Sequence, residues 1–173
     1  MGAVDDAIDT IQRAHSGTGE ATTIVYRAIQ ACERFAGMLT AVGLDKPAAI
    51  LLATRATLQD EVHVGLAVTD GNAGKALESL AAAKGSDDLD RVSGALAAGQ
   101  SQLSDMRGTA TAAVGRLDEA SALVTRIGSK SKNLVGMLAQ ARQKLEEVAQ
   151  HGAVAAAATD TTTGAVAGDR DFS

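Results

Sequence analysis

Between Leu89 and Ile127 the chain carries an unbroken apolar stripe: Leu89, Val92, Leu96, Gly99, Leu103, Met106, Ala110, Ala113, Leu117, Ala120, Val124 and Ile127. Every step is three or four residues, the spacing that keeps side chains on one face of an α-helix. A helix of that span is roughly 60 Å long at about 1.5 Å per residue. So long a rod can cover its stripe only against other helices. The predicted fold class is therefore all-α, an elongated antiparallel helical bundle.

The rest of the chain supplies the partners. Val4, Ile8 and Ile11 recur at helical spacing near the start. A clean stripe then runs through Ala21, Val25, Ala28, Cys32, Phe35, Leu39 and Val42, broadened by Ile24, Ile29 and Met38. A broadened stripe implies contact with more than one neighbour. Ser16-Gly17-Thr18-Gly19 is a weak point, because each glycine costs about 1 kcal/mol in a helix interior, and whether Gly17 and Gly19 break the helix stays open. Gly43 reads as a C-cap, and Asp45-Lys46-Pro47 as a short connection with proline near the next first turn.

Residues 48–66 read as a helix ending near Leu66, although Val62, Val64, Leu66 and Val68 alternate at the strand period. Thr69-Asp70-Gly71-Asn72 is a turn signal, and Ala73 to Lys84 a shorter helix closed by Gly85. Ser86 is placed to cap the long helix. Ser129-Lys130-Ser131-Lys132 then links it to a last helix bearing Leu134, Leu138, Ala141, Leu145 and Val148. So short a link predicts a C-terminal hairpin of about 87–128 and 131–150. The expected organisation is one helical domain over 1–151. Residues 152–173, rich in Ala, Thr, Gly and Asp, are expected to form a flexible, disordered tail.

Composition narrows the function. Only Tyr26, Phe35 and Phe172 are aromatic, so the large ring surfaces that line ligand pockets and stack on single-stranded nucleic acid are scarce. The formal net charge of −5 gives no counterion-release drive toward nucleic acid and repels anionic membranes on average. No apolar run reaches the roughly 18 residues of a membrane span, and no basic-then-apolar leader opens the sequence. The expected location is cytoplasmic, with leaderless export open. Cys32, the single cysteine, lies on an apolar stripe and reads as a small buried residue.

Catalytic and metal patterns are not evident. His15, His63 and His151 lie on separate segments, away from the compact donor cluster that zinc requires. Gly71-Asn72-Ala73-Gly74-Lys75 has the look of a phosphate loop, but Ala76 stands where the magnesium-binding hydroxyl belongs. Asp87, Asp88 and Asp90 lack calcium-loop spacing. No serine sits in a Gly-x-Ser-x-Gly elbow. The expectation is a non-enzyme with no cofactor and no metal.

The residues that matter are then those that pack and dock. The helix-packing set is Leu89, Val92, Leu96, Leu103, Met106, Leu117, Val124 and Ile127 on the long helix, Val25, Phe35 and Leu39 on the first, and Leu134, Leu138 and Leu145 on the last. Arg126, Lys130 and Lys132 form a candidate docking patch for an acidic partner. The expected function is a helical interaction or scaffold protein binding itself or another helical protein. The Ala-rich acidic helices and polar C-terminal segment also resemble, in broad character, the helical-hairpin proteins exported by type VII systems. That resemblance implies a leaderless secretion substrate or its chaperone-like partner. The chain departs from the pattern in having no tryptophan for a Trp-x-Gly turn, and Tyr26 is followed four positions on by Gln30 rather than an acid.

Overall fold

Three-and-four spacing recurs in four runs, and each becomes a rod. A computed structural model describes residues 2–172, with side-chain surroundings as far as residue 168. The first rod is α1 (Gly2–Ala41). The second joins α2 (Asp45–Thr57), a π turn (Leu58–Val62) and α3 (His63–Lys84) end to end. The third is α4 (Leu89–Thr125), and a 3-10 turn (Ser129–Ser131) leads to the fourth, α5 (Lys132–Phe172). Neighbouring rods run antiparallel, and α5 closes the ring against α1. The expected all-α bundle is what forms, with no strand among the described residues.

The long stripe packs against the chain's own helices. Val92, Leu96, Leu103, Met106, Leu117 and Val124 are buried beside Val25 and Leu39 of α1 and Leu134, Leu138 and Leu145 of α5. Leu89, Ile127 and Phe35 are only half-buried, at or near the ends of their rods. α1 is unbroken through Gly17 and Gly19, with Ala14, Thr18 and Ala21 buried across the weak point. Tertiary burial outweighs the local glycine penalty there.

The second rod corrects two expectations. Residues 48–84 form no helix end near Leu66, and Thr69-Asp70-Gly71-Asn72 is helix interior. Its buried positions include Thr54, Leu58, Val62 and Leu66, three successive steps of four. Such a run drifts out of phase with a regular α-helix. The π turn absorbs the drift by taking one more residue into a turn, which keeps the stripe facing inward. Val64 and Val68 point to solvent at 52% and 47% exposure, so the apparent strand alternation is a buried helical face interleaved with exposed valines. Thr69 is held by its hydroxyl, which donates to the Gly65 carbonyl and lies 2.7 Å from the Thr109 hydroxyl of α4.

The C-terminus differs as well. The segment expected as a disordered tail continues α5 to Phe172. Gly152, Ala155, Thr159, Thr162 and Val166 extend the inward-facing face in the same alternating steps. The Thr159 and Thr162 hydroxyls donate to the carbonyls of Ala155 and Ala158, which satisfies them without leaving the helix.

Helix ends follow local chemistry. Gly43 sits at φ +85°, and Leu44 N–H reaches the Leu39 carbonyl at 2.8 Å, the bonding of a Schellman cap. At the opposite end Asp88, rather than Ser86, caps α4 by accepting from Asp90 N–H at 3.0 Å. Ser86 instead accepts from Asp88 N–H.

Candidate functional site

Cross-helix pairs fix the relative register of the rods. Arg116 meets Glu61, Thr109 meets Thr69 and the Ser79 hydroxyl donates to Gln102. Extrapolated along antiparallel helices, these pairs set Thr125, the last residue of α4, level with about Ala53 of α2. Residues 45–52 therefore run on past the end of α4, over a height that the link of residues 126–131 partly fills, and Ala48 and Leu51 stay buried there. On the other flank, Lys144 pairs with Glu20 at 2.8 Å, and Gly17 lies against Val148. That register starts α5 level with about Cys32, and with the 3-10 turn stacked on α5 it leaves residues 37–41 of α1 beyond the rod, about 7 Å at 1.5 Å per residue. The α1–α2 hairpin thus stands above the α4–α5 link as a step.

The step has an apolar wall and a basic floor. On α1, Ile24 lines the groove toward α5, and Ala31, Phe35, Met38 and Val42 follow at helical spacing. Beyond the start of α5 that face loses its cover: Phe35 is half-buried, Met38 is 67% exposed and Val42 70%. Leu44 in the turn is also exposed, and half-buried Pro47 and Ile50 continue the wall on the α4-facing side of α2. The floor is the link itself, carrying exposed Arg126, Lys130 and Lys132, while Lys46 stands at the lip. The three residues of the candidate docking patch are all exposed on this link, with Lys132 lining the α1–α5 groove beside Ile24 and Arg27. Sequence reading missed the wall. Met38 and Val42 lie on the stripe like buried residues, and only the stagger between rods uncovers them.

Elsewhere six cations pair with carboxylates, while Arg13, Arg27, Arg34, Lys75 and Arg107 do not among the described residues. Arg55 meets Glu33, Lys84 meets Asp5 at 2.5 Å, Arg142 bridges Asp118 at 2.6 Å and Glu146, and Lys144 bridges Glu20 and Glu147. Together with Arg116–Glu61, these pairs place at least one ion pair across each of the four interfaces between rods. Lys46, Arg126, Lys130 and Lys132 have no carboxylate partner among the described residues.

One polar cluster joins α1 to α3. His15 Nδ1 lies 2.5 Å from Asp70 Oδ1, and the Thr18 hydroxyl is 2.8 Å from the same oxygen and 2.6 Å from the His15 carbonyl. Here the carboxylate is the hub and the histidine touches no nucleophile, so the arrangement ties two helices together rather than activating a hydroxyl. His63 lies nearby, beside a groove it shares with Thr18 and Asp70, and His151 faces the α1–α5 groove. No three His, Cys, Asp or Glu side chains converge as a metal cluster among the described residues. Gly71-Asn72-Ala73-Gly74-Lys75 is continuous helix, with no loop to cradle a phosphate. Burial pushes the Cys32 thiol up to about 11.

Compared with protein-family models, curated proteins and solved structures, the chain matches none. No described helix is long and apolar enough to cross a membrane.

Proposed function

We propose that this chain is a non-enzymatic interaction protein that binds protein partners. One observation carries the reading. The buried stripes along the shaft are covered by the chain's own helices, and of the exposed large apolar side chains Met38, Val42 and Leu44 gather at one end, while Tyr26, Val64, Val68 and Val154 stand apart on the shaft. Single exposed apolar residues are ordinary on a surface, but a contiguous group flanked by polar residues marks a contact site. The grooves between rods are open; one between α1 and α5 is lined by Arg27 and Lys132 without an acid, and others mix both signs. Another groove between α1 and α5, about 510 Å³, sets Asp9, Glu20 and Glu147 against Arg13, Lys144 and His151.

The test is affinity capture. Full-length protein immobilised in lysate from its native source is compared with an unrelated four-helix bundle of similar charge. Reproducible enrichment of a protein by this chain alone is the expected result. Recovery of nothing beyond the control, with crosslinker and without, would remove the interaction reading.

A further inference from the structure

We propose that copies of this chain stack end to end along the bundle axis, the acidic α4–α5 end of one seated on the basic α4–α5 link of the next. The inference rests on the interaction reading above and names a second copy as the partner.

The step at the upper end has a counterpart at the lower end, where α3 turns into α4. There Ser79 meets Gln102, and Leu80 packs against Gly99. Carried along antiparallel helices, that register sets Lys84, the last residue of α3, level with about Leu96. α4 starts lower, at Leu89, and so projects about 10 Å below α3, a height that the link of residues 85–88 runs down. Gln100 donates to the Ala156 carbonyl at 3.0 Å, which keeps α5 alongside α4. The Lys144–Glu20 register sets Gly2, where α1 starts, level with about Thr162, so α5 also runs on below α1. The rods that project at the lower end are therefore the ones recessed at the upper end. Both steps are between one and two helical turns deep. Sliding one copy along the axis by its own length brings projection onto recess.

Sign completes the match. At the lower end Asp5, Asp6, Asp87, Asp88 and Asp90 outnumber Lys84 and Arg91. At the upper end Lys46, Arg126, Lys130 and Lys132 outnumber Asp45. Exposed Asp87 and Asp88 lie at the projecting tip, and exposed Arg126, Lys130 and Lys132 on the recessed link. Stacking sets the two groups face to face on one pair of rods, and Val42 and Leu44 against the start of α1 in the next copy. The unpaired cations of the shaft project from the sides of the rods and take no part. A partner of one sign would answer one end only, whereas a second copy answers both.

The contact is small. Four helices about 10 Å across give an end of roughly 400 Å². A standard interface uses about 800 Å² per partner, so each contact is weak and stacks lengthen with concentration. A head-to-tail contact related by translation does not close, which leaves the number of copies open.

Sedimentation velocity of the full-length protein reads the stacks. At about 0.02 M salt the mean mass should rise with concentration without a plateau, and at about 0.5 M it should fall to that of the monomer. Arg126→Glu, Lys130→Glu and Lys132→Glu together should abolish the rise. So should Asp6→Lys with Asp87→Lys, which spares the Asp88 cap. The first variant has two acidic ends and the second two basic ones, so an equimolar mixture should restore the rise. That rescue also shows that both fold. On wild type, carbodiimide coupling of isotope-labelled with unlabelled copies should join Lys130 or Lys132 of one to Asp87 of another. A wild type that stays monomeric at low salt overturns the proposal. So does a mass that stops at the dimer, a set of intermolecular links confined to the sides of the rods, or a mixture of two folded variants that stays monomeric. If lysate capture enriches a different protein while the chain itself stays monomeric, this inference fails and the interaction reading stands.

Discussion

The two ends of the bundle are built from similar helices and finish in opposite ways. At the lower end, Asp5 reaches Lys84 at 2.5 Å, Asp88 caps α4, and Asp6, Asp9 and Asp87 add further negative charge. At the upper end the rods are staggered, apolar side chains face water, and Lys46, Arg126, Lys130 and Lys132 stand without carboxylates among the described residues. Net charge describes neither end. The rods are about 60 Å long, and salt screens charge within about 8 Å at physiological ionic strength, so the ends do not sense each other. A chain that repels anions on average can therefore attract them at one place.

The widest contrast is between covered and uncovered leucines. Leu117→Ala, in the closed shaft, should cost about 2–5 kcal/mol, whereas Leu44→Ala at the step should stay within about 0.5 kcal/mol. Urea denaturation of both variants measures the difference. Comparable losses would mean that the upper end is as closed as the shaft.

Cys32 reports on the covered interior near the upper end of the bundle. With its thiol raised from 9.0 to about 11, the thiolate fraction near pH 8 falls about a hundredfold relative to an unperturbed cysteine. Labelling by a disulfide reagent should be at least that much slower in native protein than in the urea-unfolded chain. Rapid native labelling would show that the stagger loosens the rods below it.

A smaller effect separates two glycines of one helix. A methyl added at Gly17 would meet Val148 Cγ2 at 2.9 Å, while one added at Gly19 meets nothing within 4 Å. Gly19→Ala should therefore stabilise by about 1 kcal/mol. Gly17→Ala should destabilise by about 1 kcal/mol, because the overpacking outweighs the same helix gain. Thermal melts read the signs directly.

The smallest effect belongs to the lower end. A hydrogen bond from Lys84 holds the Asp5 carboxyl below its ordinary 3.8, and Asp5 holds the Lys84 ammonium above 10.5. The pair's contribution is whole between those values. It fades as pH falls below 3.8 through the lowered carboxyl pKa, or rises above 10.5 through the raised ammonium pKa. Asp5→Asn should lower the melting temperature slightly at neutral pH and converge with wild type in strong acid. A gap that persists in acid would assign the loss to something other than charge.

Legibility varied along the chain for physical reasons. The α4 stripe was readable because apolar residues repeat at three-four spacing from Leu89 to Ile127, with leucines at Leu89, Leu96, Leu103 and Leu117. The second rod was harder, since a π turn and two exposed valines imitate alternation, and Asp70-Gly71-Asn72 carries turn chemistry that tertiary contacts override. In α5 beyond Gly152 the inward face is alanine and threonine, which a hydrophobicity pattern does not register. The cations of the candidate site were visible as letters. Their setting was not, because an overhang depends on how far one rod slides past another, and that is a property of pairs of helices rather than of any segment.

The π turn in the second rod has a mechanical consequence. An α-helix rotates about 100° with each residue. One extra residue in a regular α-helix would swing the chain beyond it more than a quarter revolution; held in the wide turn Leu58–Val62, it leaves Ala48, Leu51 and Thr54 facing the interior. That five-residue stretch sets the angular phase between the shaft and the hairpin tip, and with it the direction in which Pro47 and Ile50 look.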